Sequence, residues 1–463
     1  MNCNWLTQER SLCCVEMSDP KLPLEPVESS TPTAGQGPSS QSKSWTKQDY
    51  LLCTLAVLIK FGDGVEGYLP GVITQKASCE LGVSDFQEGI LAMILYLFWT
   101  ISLGISSFIL NKFGEKFTVL LSLYLSIVFA ILCAAVPNYY TLLLSRALTG
   151  ICIGLNGCST LLFVKRLVSS KEVFIQITFI AENIAYAAGG IWVSVLGWLF
   201  LKLVNWRVFV LITSIPLFIP PIVILHFCIN DNPEDEKEED EENSNEDKNN
   251  VKSETDVLLD AESKRVPNFT ERIIKSSFFF FSNTFVGYGS IILVPWLIRI
   301  HKRDVLGVDN GVGKCEEEVQ GNDLLILAAV SGGANFIGRF IGIFLWSRFR
   351  FLTLQLTTTA VMALSYGIVI AKPGLIIGVV FLGLAKVCFS IQKVEISILL
   401  YDCEYFGRSR LWLASTIGNV AELSGAVVGT SFAAFFDPYT TVLVTLVIAC
   451  IEFIDICLMK ERF

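Results

Sequence analysis

The sequence predicts an all-α membrane protein whose twelve transmembrane helices form two six-helix bundles. Three observations carry that expectation. The chain is 52% hydrophobic and only 17% charged, with a mean hydropathy of +0.56, too apolar for a chain bathed in water on every side. A single long hydrophilic stretch, residues 230–271, divides it. On each side of that stretch lie six apolar runs of the ~20 residues that a helix needs to cross a ~30 Å hydrocarbon core.

In order, the runs cover residues 50–73, 86–110, 116–136, 138–165, 173–200 and 206–229, then 272–299, 322–346, 351–371, 373–400, 409–436 and 439–460. The expected organisation is a tail (1–49), a first bundle (50–229), a linker (230–271) and a second bundle (272–463). The tail is polar, rich in Ser and Pro, and lacks the apolar core of about 7 to 15 residues that a secretory signal carries, so no cleavable signal is expected. Its composition predicts disorder. The net charge of −9 sits largely in the acidic run from Glu234 to Asp247, which reads as a solvated tether and gives no sign of nucleic-acid binding.

Short loops rich in Lys and Arg are held in the cytosol. Lys112 and Lys116 after the second run, and Lys165, Arg166 and Lys171 after the fourth, outweigh Lys76 and the base-free turn at Pro137 to Tyr140. Both termini and the linker are therefore expected in the cytosol, although Arg299, Lys302, Arg303 and Lys314 oppose that trend in the second half. Of the 14 cysteines, Cys79 and Cys315 fall in the loops opposite. A disulfide between them and two free thiols both remain open.

Lys60-Phe61-Gly62-Asp63-Gly64-Val65-Glu66 in the first run contains an Asp-Gly-Val-Glu core that resembles the first helix of the synaptic vesicle glycoprotein 2 family. Cys79-Glu80, Arg146 through Gly154, Trp206 through Val210, and Phe281 through Phe285 with Tyr288-Gly289 resemble that family and the synaptic vesicle 2-related protein. The likeness implies the major facilitator fold, similar to organic cation and anion transporters, with a central cavity that opens alternately to each side. It also departs from the pattern. The superfamily's basic turn reads Asn111-Lys112-Phe113-Gly114-Glu115-Lys116 here, so Asn111 replaces the acid of the expected gating latch formed with Lys112, Gly114 and Lys116. At the entry to the eleventh run only Glu404 keeps its register, with Arg410 displaced by one.

Ionisable groups inside a bilayer cost at least about 2.5 kcal/mol each and so mark a partner or a wet pathway. Lys60, Asp63 and Glu66 recur every three residues and share one face of a helix. Counting about 1.5 Å per residue from the cytosolic end sets Glu66 at ~24 Å and Arg146 at ~28 Å, so the two can meet. One reading is a cation or proton site at Asp63 and Glu66, biased by Arg146; the other is a permanent clamp between the first and fourth helices. Glu182, beside Asn183 and Tyr186, and Glu422 fall at mid-depth, each facing either the cavity or a packing partner, which for Glu422 would be Lys386. Lys386, Ser390 and Lys393 form a stripe that suits an anionic or zwitterionic solute, while Lys393 could also snorkel and pair with Glu395. Asn283 and Tyr288 in the seventh run need partners across helices or face the pathway.

Gly311-Val312-Gly313-Lys314-Cys315 fails as a phosphate loop, because Val308 stands where Gly is required and Cys315 where Ser or Thr is. The two histidines, His226 and His301, give no metal motif, and no nucleophilic constellation suggests an enzyme. The sequon at Asn268 falls in the cytosolic linker and is expected to stay bare. The sequence thus implies a monomeric transporter in a plasma or vesicle membrane, without a cofactor, that moves a small organic, charged solute by alternating access with or without protons. Its rival is a transporter-shaped regulator that moves nothing.

Overall fold

Inside a bilayer an apolar run can satisfy its own backbone only as a helix or a closed barrel, and helices are what forms. The computed structural model describes residues 45–201, 203–229, 269–306, 326, 328–346, 348–371, 374–399, 411–436 and 438–460. Among these residues twelve helical rods follow one another: α1 (Lys47–Leu81), α2 (Asp85–Phe113), α3 (Glu115–Ala134), α4 (Tyr139–Leu167), α5 (residues 171–200), α6 (Trp206–Phe227), α7 (Phe269–Leu306), α8 (residues 328–346), α9 (Phe351–Ile370), α10 (Leu375–Leu399), α11 (Leu411–Phe435) and α12 (Pro438–Lys460). Two rods are composite. A π-helical turn, Ile180–Ala185, interrupts α5 between Lys171–Phe179 and Tyr186–Phe200, and another, Ala328–Gly333, precedes the α-helical Ala334–Trp346 of α8.

Seven helices among the described residues are long and apolar enough to cross a membrane on those grounds alone. The first helix falls short of that measure because Lys60, Asp63 and Glu66 interrupt its apolar run. It is also longer than its hydropathy suggests. At 35 residues α1 is ~50 Å long, well past the expected end at residue 73, because a helix keeps its internal hydrogen bonds beyond the hydrocarbon. Lys76 in that extension donates to the Leu201 carbonyl. The same holds for α7, which runs to Leu306 rather than residue 299.

Local signals set several boundaries. Ser84 and Asn138 cap α2 and α4 in capping boxes with Gln87 and Thr141. Gly114, at φ +78°, turns the chain between α2 and α3, a conformation that costs a side chain energy. Lys165 and Arg166 sit in the last turn of α4, where the helix dipole favours cations.

Packing repeats with a period of six helices. In the first half α1 lies against α5 and α2 against α4; in the second α7 lies against α11 and α8 against α10. Between halves, α2 meets α11 and α5 meets α8. This is the two-bundle arrangement expected from the sequence. Small residues allow the closest approaches. A Cβ on Gly64 would collide with the Tyr186 carbonyl, and one on Gly189 with the Phe61 carbonyl, so α1 and α5 touch backbone to backbone. One apolar core crosses the halves and joins Leu95, Tyr96 and Ile153 to Phe285, Tyr366 and Phe389.

Polar staples tie the helix ends at each face. On the face that carries the start of α1, Lys116 donates to the Ile229 carbonyl at 2.7 Å and Arg166 pairs with Glu115 at 3.8 Å. Asp49 there accepts from the backbone N–H of Ser169 at 3.0 Å and from Thr46 at 2.8 Å. Burial alone would raise the Asp49 carboxyl, but the bonds from Ser169 and Thr46 outweigh it and hold it at about 2. On the opposite face Arg207 pairs with Glu80 at 2.9 Å and donates to the Ala134 carbonyl at 3.1 Å, while the Trp206 indole also donates to Glu80. Glu80, Trp206 and Arg207, separate patches in the sequence, thus form one clamp over the ends of α1, α3 and α6.

Candidate functional site

The charges of α1 separate into two groups. Glu66 turns to α4, where Arg146 donates from Nη1 at 3.1 Å and from Nη2 to Cys133 Sγ at 3.1 Å. This pair is enclosed. Lys60 instead reaches across to Glu182 Oε1 at 2.6 Å and stands 3.9 Å from Asp63 Oδ2. Asp63 Oδ1 also accepts from Asn156 of α4 at 3.3 Å, whereas its Oδ2 has no hydrogen-bond partner. One ammonium therefore serves two carboxylates.

Glu182 projects from the π-helical turn of α5, and that turn also holds the other half. A π turn breaks the regular i to i−4 ladder. The Glu182 and Asn183 carbonyls accept from Arg339 Nη1 of α8, the second at 3.3 Å. Arg339 Nε donates to Asn335 Oδ1 at 3.2 Å, and its guanidinium lies 5.5 Å from the centre of the Tyr186 ring. Asn335 in turn joins three helices, donating to the Tyr68 hydroxyl of α1 and accepting from Ser390 of α10 at 2.7 Å. Asn183 is fully buried with both polar side-chain atoms unpartnered. It lines a crevice of about 10 Å³ between the halves with Ile184, Phe336, Arg339 and Phe340, room for a water molecule at most.

In the second half Lys386 is buried, donates to the Gly287 carbonyl at 2.9 Å and sits 5.2 Å from the Tyr288 ring and 4.4 Å from that of Phe389. Tyr288 packs edge-on against Tyr96 of α2, at 4.9 Å between centroids. Tyr96, Trp99, Tyr186 and Tyr68 continue the aromatic wall into the first half. Asn283 donates to Gln392 in the core between α7 and α10, away from that wall. Among the described residues neither Arg339 nor Lys386 has a carboxylate within ion-pair distance.

Two expected pairings are corrected. Glu422 pairs with Lys393, not Lys386, and Glu395 takes a hydrogen bond from Gln355 rather than an ion pair from Lys393. The reason is helical phase: Lys393 and Glu395 are two residues apart and so point to different neighbours, α11 and α9. The gating turn is also differently built. Asn111 and Lys112 lie in the last turn of α2, with Lys112 5.3 Å from the Phe113 ring. The acid that meets a base of α4 is Glu115, one residue past Gly114, through its contact with Arg166. The Asn111 side chain lies outside the described residues, as do Cys315, Lys314, Asn268, Glu404 and Arg410 and the side chain of Cys79.

Glu182, Tyr288 and Lys386 thus border one polar and aromatic seam between the halves, and Asp63 is tied to Glu182 through the shared Lys60, while Glu66 with Arg146, Asn283, and Glu422 with Lys393 are held inside or beside their own helix pairs. Arg339 and Asn335 were not foreseen. They lie in the run 322–346, read only as a span, although a lone arginine seven residues inside its end carries the same signal of cost as Asp63.

The chain matches the family model described as Major Facilitator Superfamily over residues 55–430. It is similar to synaptic vesicle glycoprotein 2A of Rattus norvegicus, with 25% identity over 190 residues, 37% of this chain and 24% of that protein. The match therefore spans about a quarter of that relative's length. Among solved structures, the crystal structure of a D-xylose-proton symporter aligns with a TM-score of 0.67 at 12% identity, covering 89% of this chain and 97% of that one. The inward-open conformation of the xylose transporter XylE from E. coli aligns with a TM-score of 0.62 at 13% identity, covering 89% and 96%.

Proposed function

The chain belongs to the major facilitator superfamily, and on that premise we propose that it carries a small organic anion across a membrane by alternating access. The observation that carries this reading is the pair of buried cations, Arg339 and Lys386, that border an aromatic seam without a carboxylate of their own among the described residues. A buried cation with only neutral partners is expensive, so an arriving anion would gain both charges. Tyr68, Tyr96, Trp99, Tyr186 and Tyr288 supply flat apolar surface for the organic body.

Asp63 is the proton carrier in this reading. It shares Lys60 with Glu182, and its Oδ2, which takes no hydrogen bond and stands 3.9 Å from that ammonium, can receive a proton while Lys60 stays paired with Glu182. Glu66, bound to Arg146, serves as the structural clamp. One solved structure of this fold is described as a proton symporter, which supports proton coupling as the first alternative to test. The distribution of Lys and Arg supports cytosolic termini, and the similarity to synaptic vesicle glycoprotein 2A supports a vesicle membrane over the plasma membrane in this reading.

The test is uptake into liposomes of matched organic anions, cations and neutral analogues. Anion uptake is expected, reduced tenfold or more in Arg339→Gln and Lys386→Gln, with the pH dependence lost in Asp63→Asn. Uptake of cations alone would overturn the charge assignment. The rival reading, a regulator that moves nothing, draws on the ion pairs Glu66 with Arg146 and Glu422 with Lys393, which neutralise one another inside the protein. It predicts no uptake of any member of the panel by correctly folded protein.

A further inference from the structure

A second carboxyl stands apart from the seam. Glu395 lies one turn inside the end of α10 and Gln355 one turn inside the start of α9, both essentially fully buried. Gln355 Nε2 donates to Glu395 Oε2. The two atoms left over, Glu395 Oε1 and Gln355 Oε1, have no hydrogen-bond partner among the described residues.

Two acceptors left over in one contacting pair are resolved by a single added proton. A carboxylic acid and a carboxamide are complementary. The acid O–H donates to the amide oxygen while the amide N–H donates to the acid carbonyl, and every polar atom of the pair is then satisfied. An ionised Glu395 has no such solution, because it accepts only and Gln355 Oε1 also only accepts.

The surroundings favour the neutral form as well. From α9 no charged side chain exists anywhere between Phe351 and Ile370. From α8, Arg339 is turned to α5, and on α10 itself Lys386 and Lys393 are turned to Gly287 and Glu422. From α7, Lys275 pairs with Glu271 at 2.7 Å, and from α12, which packs on α9, the charged group with a described side chain is Glu452, a second buried acid and no cation. Among the described residues no cation lies within ion-pair distance of Glu395, and an unpaired carboxylate in a dry core is among the costliest groups a protein can hold.

We propose that Glu395 is a proton-binding site: a carboxylic acid that holds its proton in a reciprocal pair with Gln355 and so fastens α10 to α9. The pair lies about 6 Å along α10 from the helix end, so parting of α9 and α10 at that face would open it to water and let the proton leave. This site is independent of Asp63. It stands whether or not the protein transports an anion.

Infrared spectroscopy of the purified full-length protein in lipid tests this without reference to uptake. The C=O stretch of a protonated, hydrogen-bonded carboxyl is expected in the wild type at neutral pH, and its intensity should drop by one carboxyl in Glu395→Gln. That variant keeps a reciprocal amide pair and so is expected to fold. In Gln355→Met the band should persist but move to the higher frequency of a carbonyl without its donor. Unfolding in detergent should become easier as the pH rises for the wild type, since ionisation destroys the pair, but not for Glu395→Gln. A carboxyl spectrum at neutral pH that is identical in the wild type and both variants would overturn the proposal, whatever the outcome of transport assays.

Discussion

Glu66 and Arg146 form the most enclosed ion pair among the described residues, and single removals should expose what each does for the other. Glu66→Gln strands a guanidinium whose Nε already lacks a partner, at a cost of about 3–5 kcal/mol. The double variant Glu66→Gln/Arg146→Met removes both charges and should recover most of that loss in thermal unfolding measured in detergent. Equal losses in the single and double variants would mean that the pair acts through shape alone. The sequence made this contact legible, because two ionisable residues at matched depth on neighbouring spans have few other ways to be satisfied. It could not make Glu422 with Lys393 legible, since choosing between two lysines two turns apart on one stripe requires the axial offset of α10 against α11. Arg339 shows a different limit: its partners are main-chain carbonyls of a π turn, and no residue type in α5 announces them.

At the scale of elements, helix association in a bilayer depends on how closely backbones approach, and α1 offers its own control. A side chain on Gly64 would strike the Tyr186 carbonyl, whereas one on Gly71 would meet nothing within 4 Å. Gly64→Val should force α1 from α5 and destabilise the fold by about 1–3 kcal/mol or more. Gly71→Ala should be neutral or stabilising by about 0.5–1 kcal/mol, since alanine loses less freedom in a helix than glycine. Unfolding midpoints of the two variants in one detergent would decide it; similar shifts would show that packing does not discriminate between the two sites. The spans themselves could be read because hydropathy and length are one-dimensional. Their true ends could not, as α1 and α7 continue past the hydrocarbon on hydrogen bonds that hydropathy does not record.

For the whole molecule, the relation between the halves determines which side is open. Two of the contacts that cross them, α2 with α11 and α5 with α8, are closed toward the face opposite the start of α1. There the Phe86 and Phe435 rings meet at 5.1 Å, and Gly332 of α8 lies against the backbone at Gly190 of α5. A carrier must undo both contacts in every cycle, while a static regulator need undo neither. Phe86→Cys with Phe435→Cys, in a background where the other cysteines are replaced, would place two thiols across that seam. Oxidative cross-linking should then stop anion uptake, and a reductant should restore it, with either single variant unaffected by oxidant. Uptake that continues at the wild-type rate in fully cross-linked protein would mean that this seam does not part during transport. The alternating motion would then have to run through some other surface than the one on which the halves meet here.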